Sequence, residues 1–331
     1  MKKLICVILS FVMILSLTAC GAAEPAATTA TGFEENYTVA IVQQLDHSSL
    51  DEIRTAIEAQ LKVLAEEKGV GIVVTYDNGQ NDASMLNQIG TQVVADNVDM
   101  IIPIATTAAQ IMVTCAEGAD IPVVYAAVSD PEGNGLTGLE AVTGTSDALN
   151  TPFILDMMFA ADPDIQTVGL LYSNSEPNSE KPIAEAKAYL EEKGIAYLEK
   201  TGNNAGEIIS AASDLVGRVD AVFTPTDNVV MATEAAVVEL LNESGIPHYA
   251  GADSFVQAGA FATCGVNYTE LGTKTADIAF DILMGGEAGD FHVMEGGIIT
   301  VNTETAESCG LDYGVFNEMA NTVNAITTIA D

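Results

Sequence analysis

The 331-residue chain has no tryptophan, only 11 lysines and arginines against 47 aspartates and glutamates, three histidines and five cysteines. Each shortage excludes a class of function. With a formal net charge of −36 the chain lacks the basic face that nucleic acid demands, so no nucleic-acid partner is expected. The acidity itself reports solubility and repulsion from anionic surfaces, and selects no ligand. His47, His248 and His292 fall at no spacing with a second metal ligand, so no metal is expected. Cys115, Cys264 and Cys309 are far apart and form no CxxC pair. Such an odd count favours buried small hydrophobes over a disulfide framework or a zinc site. A Gly-rich phosphate loop, a Gly-x-Ser-x-Gly elbow and a Cys–His pairing are all missing, so neither catalysis nor a cofactor is expected. The lack of tryptophan removes a favoured stacking platform, which makes a sugar a poor candidate ligand.

What is present begins with location. Met1, Lys2 and Lys3 form a short basic region, residues 4–17 an apolar run, and Leu17-Thr18-Ala19-Cys20 a close of mostly small residues. The run is shorter than the ~20 residues that span a bilayer, so residues 1–19 read as a signal peptide. The Leu-Thr-Ala-Cys ending resembles the lipobox of bacterial lipoproteins. That resemblance implies a lipidated Cys20 as the first mature residue, anchoring the protein to the cell membrane from outside the cytoplasm. Residues 20–36 are small, polar and aperiodic beyond the cysteine, and read as a flexible linker.

From residue 37 onward apolar strands alternate with amphipathic helices. Strands are expected at 37–44, 70–76, 100–105 and 122–128, with helices at 50–68, 83–95 and 107–117. Leu50, Ile53, Ile57, Leu61 and Leu64 share one face of the first helix. After residues 143–151 the rhythm restarts. Helices are expected at 152–161, 179–193, 206–216 and 229–244, and strands at 168–174, 195–200, 221–225 and 248–253. The order β-α-β-α implies an α/β fold of two doubly wound parallel-sheet lobes. A strand over 261–268 should then cross back, a helix over 269–283 rejoin the first lobe, and residues 298–331 return to the second. The expected lobes are 37–145 with 265–291, and 146–264 with 292–331, joined by a three-strand hinge suited to closing on a small ligand.

The stretch MIIPIATTAAQ, residues 100–110, shows where that ligand can bind. A buried strand hands over to a helix start, whose free N–H groups and the Thr106 and Thr107 hydroxyls can receive a carboxylate without a basic side chain. The same pattern recurs in AVFTPTDNVVMA, residues 221–232, at Thr226, Asp227 and Asn228. A zwitterion needs donors for its carboxylate, here Thr106, Thr107, Ser129 and helix N-termini, and an anion for its ammonium, here Glu176, Asp227 or Asp253. No Lys or Arg stands in these loops, which disfavours a phosphate or dicarboxylate. Each acid has a second reading. Asp227 and Asn228 stand where a helix cap belongs, Asp130 before Pro131 can make a turn, and Asp253 before Ser254 can cap. Tyr125, Phe153, Tyr172, Phe255 and Tyr268 can pack the core or wall a pocket.

Together with the lipobox, IPIATTAAQ (102–110), IPVVYAAVSDP (121–131), TGTSD (143–147), YSNSEPNS (172–179), VDAVFTPTDNVV (219–230) and GVNYTELGTKTADI (265–278) resemble one family. It is the substrate-binding lipoproteins of bacterial ABC importers, in the group that includes tryptophan and other aromatic amino-acid binders. The resemblance implies the three-hinge type I periplasmic binding protein fold. It implies capture of an amino acid, most consistent with an aromatic one, by a monomer that delivers it to an ABC permease and touches the membrane through its lipid alone. Thr106 and Thr107 match the family's hydroxyl pair, Ser129 and Asp130 its Ser-Asp-Pro loop. Glu176, Asn178 and Ser179 match its Glu-x-Asn-Ser loop, with Asn174 counted beside them. Thr226, Asp227 and Asn228 match its Thr-Asp-Asn turn, and Asp253 stands where relatives place an acid. Asp312-Tyr313-Gly314 departs from the family's Ile-Pro pair. The rival readings are a binder of nucleosides or other uncharged organic solutes, and the sensor domain of a signalling system.

Overall fold

The computed structural model describes residues 35–329, so the expected signal peptide, Cys20 and most of the linker lie outside the described residues. The first lobe opens with β1 (Asn36–Gln43), α1 (Ser48–Lys68), β2 (Gly71–Asn78), α2 (Ala83–Ala95), β3 (Met100–Ile104), α3 (Thr106–Ala116), β4 (Val123–Tyr125) and β5 (Val142–Ser146). The second holds α4 (Thr151–Ala161), β6 (Thr167–Tyr172), α5 (Pro177–Lys193), β7 (Ala196–Thr201), α6 (Ala205–Ser213) and β8 (Ala221–Thr224). It continues with α7 (Asn228–Met231), α8 (Glu234–Glu243), β9 (His248–Ala250), α9 (Asp253–Ala258) and β10 (Ala262–Gly265). Then α10 (Tyr268–Leu283) and β11 (His292–Val293) rejoin the first lobe, and β12 (Ile298–Asn302), α11 (Thr303–Cys309) and β13 (Thr322–Ile326) complete the second.

The first sheet runs β11-β5-β4-β3-β1-β2, parallel throughout. Side chains alternate across a strand, and β1 uses both faces. Val39 and Ile41 join Ile53, Ile57 and Leu61 of α1 in one core, while Ala40 and Val42 join Leu86, Ala108 and Met112 in another. Each such buried isoleucine or leucine contributes about 1.5–3 kcal/mol. Helix α10 lies against α1 so closely that a Cβ on Gly272 would stand 2.5 Å from the Ile53 carbonyl oxygen. Gln60 donates to Asp277 at 2.7 Å, fixing α10 to α1, and the Thr145 and Thr275 hydroxyls meet at 2.7 Å, fixing it to β5 of the sheet.

The second sheet runs β13-β12-β10-β9-β8-β6-β7, with β12 antiparallel to β10 and every other pair parallel. The expected all-parallel sheet therefore has one reversal. The reason is the hinge: the chain leaves this lobe at the end of β10 and re-enters at the same edge, with Gly265 paired to Ile298, so it must run back. The crossing is a short strand and loop where one strand over 261–268 was expected, and the last crossing falls after His292–Val293, which pairs with β5. The helix expected over 229–244 is two, α7 and α8, interrupted at Ala232 and Thr233. Among the described residues no helix is long and apolar enough to cross a membrane.

Candidate functional site

The strand ends of both sheets face each other across a cavity of about 20 Å³, room for about one water molecule and far below the ~300 Å³ of small-molecule sites, so the lobes must part to admit a solute. The two lobes meet directly around it. Gln44 Nε2 donates to Glu176 Oε1 at 2.7 Å, His47 Nε2 stands 3.0 Å from Asn228 Oδ1, and the Ser49 and Ser254 hydroxyls are 2.5 Å apart. Ser129 Oγ lies 3.2 Å from Thr226 Oγ1, and Lys181 reaches Asp130 at 3.5 Å on the rim.

Two residues of the first lobe's cavity wall hold left-handed backbone, Ala105 at φ 78° and Ala127 at φ 55°. Left-handed alanine stores of order 1 kcal/mol of strain each, as happens where a fold commits backbone to a site. Ala105 is the N-cap of α3 and supplies no side-chain cap. Thr106 behind it is buried with its hydroxyl unpartnered, as is the hydroxyl of Thr107. The Thr107 N–H is already taken, donating to Gln44 Oε1 at 3.2 Å.

Four acids lie buried or nearly so near this junction, and they differ in how far their oxygens are occupied. Asp227 caps α7: Oδ1 accepts from the Val229 and Val230 N–H groups at 3.1 and 3.0 Å, and Oδ2 from the Ser173 N–H and the Ser179 hydroxyl at 2.7 Å each. Glu176 accepts from Gln44 and, at 2.5 Å, from Asn228 Nδ2. Burial, then the neighbouring Asp227, pushes its carboxyl up to about 8. Asp253, first residue of α9, is pushed up to about 6 by burial and then Glu52, and does not line the cavity. Asp147 is fully buried in the cavity wall, where Oδ1 accepts from Ser129 Oγ at 2.9 Å and Oδ2 from the Tyr268 hydroxyl at 3.2 Å. Burial raises its pKa. No lysine or arginine pairs with it among the described residues.

Of the residues picked out from sequence, Thr106, Ser129, Asn178, Thr226, Asp227 and Asn228 line the cavity. The others stand elsewhere. Thr107 sits beside the wall, Glu176 behind it as a bridge between lobes, and Ser179 under Asp227. Asp130 faces Lys181 on the rim, Asn174 is exposed and donates to Thr201 Oγ1 at 2.9 Å, and Asp253 starts a helix because β9 ends three residues earlier, at Ala250. The capping reading of Asp227 prevails, since all four of its acceptor positions are filled. His47, Ser49 and Asp147 are additions. Asp147 closes the TGTSD stretch without a cap or periodic signal; it enters the wall because the first crossing between lobes passes there. Tyr268 joins it because α10 returns from the second lobe at that point.

Two α/β lobes on a three-crossing hinge, with a polar cavity at their meeting strand ends, define a protein that holds a small solute by closing on it. Residues 38–315 match the family model described as ABC transporter substrate binding protein. The chain belongs to that family, whose members work outside the cytoplasm with an ABC permease. It is 30% identical, over 93% of its length and 92% of the other's, to a tyrosine-binding protein of Clostridioides difficile (strain R20291). A structure of an ABC domain in complex with L-Trp from Streptococcus pneumonia is similar at TM-score 0.80 and 28% identity, covering 87% of this chain and 100% of that one. The ligand-free, open structure of a substrate-binding protein with adhesive properties from Clostridium difficile matches at TM-score 0.65 and 31% identity, covering 88% and 100%. In this chain the direct bonds between the lobes describe a closed cleft.

Proposed function

We propose that this protein captures a free aromatic L-amino acid between its lobes and presents it to a membrane permease, catalysing no reaction. The observation that carries this reading is Asp147, a buried carboxylate in the cavity wall with two acceptor positions in use and no cation beside it. Such a group is costly unless a ligand supplies the positive charge. An α-ammonium does so, and it can share its remaining protons with Asn178 Oδ1, which is buried, unpartnered and held near by the bond of Asn178 Nδ2 to the Thr226 carbonyl at 2.6 Å. The Thr106 hydroxyl, at the start of α3, is a donor for the ligand carboxylate. Leu50, Met231, Phe255 and Tyr268 offer apolar wall for a ring, in keeping with the tyrosine and L-Trp named for the two relatives above. A monomer tethered through lipidated Cys20 after loss of residues 1–19 places the cavity where imported solute arrives.

Calorimetric titration of the chain from Gly21 with the twenty amino acids tests this, and silence from all of them sinks it. Asp147→Asn should weaken the amino acid that binds by on the order of a hundredfold, the cost of stripping one partner from a buried charged pair, about 3 kcal/mol. Unaltered affinity in that variant would move the ammonium elsewhere.

A further inference from the structure

We propose that His47 sets the ligand preference of the cavity: its Nδ1 accepts a hydrogen bond from a donor on the ligand's ring, selecting phenol or indole side chains over phenyl. The inference rests on the reading that an aromatic amino acid is the ligand.

His47 is the N-cap of α1, in extended backbone at φ −164° and ψ 164°, yet its side chain makes no capping bond. The ring is turned instead toward the second lobe, with Nε2 3.0 Å from Asn228 Oδ1. Asn228 commits its Nδ2 to Glu176 Oε2 at 2.5 Å, so the atom facing His47 is an oxygen. With Asn228 so oriented, the imidazole carries its proton on Nε2 and presents Nδ1 as a lone-pair acceptor. Burial holds the ring below its ordinary pKa, which keeps it neutral. Nδ1 is buried and has no partner in the protein. An acceptor left so is unfavourable, and a ligand that brings a donor recovers the loss.

The wall beside His47 is partly apolar. Leu50 and Met231 line the same wall, and Met231 is tied to α1 through Ser254, whose hydroxyl lies 3.3 Å from Met231 Sδ and 2.5 Å from Ser49 Oγ. Asp147 is held by a separate hydrogen-bonded group, Ser129 and Tyr268. One acceptor thus serves the ammonium and another the ring edge. Tyrosine O–H and tryptophan N–H can meet Nδ1; phenylalanine leaves it buried and unpaired.

The test is titration of the purified protein and of His47→Leu with tyrosine, tryptophan, phenylalanine and 4-fluorophenylalanine, the last filling the para position without offering a donor. Wild type should bind tyrosine and tryptophan at least tenfold more tightly than the other two, and His47→Leu should bring all four within about threefold of one another. The ratio is informative because loss of the Asn228 contact weakens closure equally for every ligand. Wild-type affinity for phenylalanine equal to that for tyrosine overturns the proposal, as does an undiminished ratio in His47→Leu; either leaves amino-acid capture standing. Failure of all four to bind wild type would instead remove the reading on which it rests.

Discussion

The β3–α3 and β8–α7 junctions are alike in sequence, an apolar strand opening into hydroxyl and acidic or amide residues at a helix start, and the structure uses them in opposite ways. At β8–α7 the chain brings its own anion: Asp227 caps α7 and takes two further donors, so every acceptor position is filled from within the lobe. At β3–α3 the cap is an alanine in left-handed backbone, and the Thr106 hydroxyl behind it has no partner. A junction that satisfies itself builds a lobe. The other is left with an unpartnered hydroxyl in the cavity wall.

The hardest blow to this contrast is Asp227→Ala. It removes a helix cap and two other bonds to a buried carboxylate, and should lower stability by about 3 kcal/mol, read as a fall in the urea midpoint of the second lobe. Unchanged stability with lost ligand affinity would mean that Asp227 serves the ligand and that the junctions are equivalent.

A second effect concerns closure. In the closed form Glu176 is raised from 4.5 to about 8, whereas an open cleft would expose it to water and return it toward the ordinary range. The closed form therefore binds a proton more tightly than the open one. Its contribution is complete below about pH 4.5 and is lost as pH rises toward 8, a window in which an amino-acid ligand stays zwitterionic. Affinity should fall more than tenfold between pH 5.5 and 8, and Glu176→Gln should flatten that slope in a calorimetric pH series.

The smallest effect sharpens the contrast. Thr106→Val removes an unpartnered hydroxyl and should leave the unfolding midpoint unchanged or slightly raised, while affinity drops about fivefold to tenfold. The matched measurement on Asp227→Ala and Thr106→Val separates the lobe-building junction from the binding one.

Much of the fold was legible because its signals are local. The spacing of Leu50, Ile53, Ile57 and Leu61 marks α1, and four apolar residues around Pro103 mark β3. The reversal of β12 was hidden, since a strand's direction depends on which edge the chain re-enters. For the site, sequence reached Ser129 and offered Tyr268 as core or pocket wall, but it did not single out Asp147, which the first crossing brings in. Asp147, Ser129 and Tyr268 form one hydrogen-bonded group from three distant segments. No window of sequence contains it. Asp253 has fitting chemistry, but β9 stops at Ala250 and residue 253 starts α9 off the lining of this cavity.

The interleaving of the two lobes also bears on when they can form. The first sheet lacks α10 and β11 until residue 293 has been made, and the second lacks its edge strand until residue 326. Neither half is complete while its late pieces remain unsynthesised, and pairings over such sequence distances form slowly. A polypeptide bound for the outside of the cell is thereby kept loose through most of its synthesis, which is the condition in which a chain can still be threaded.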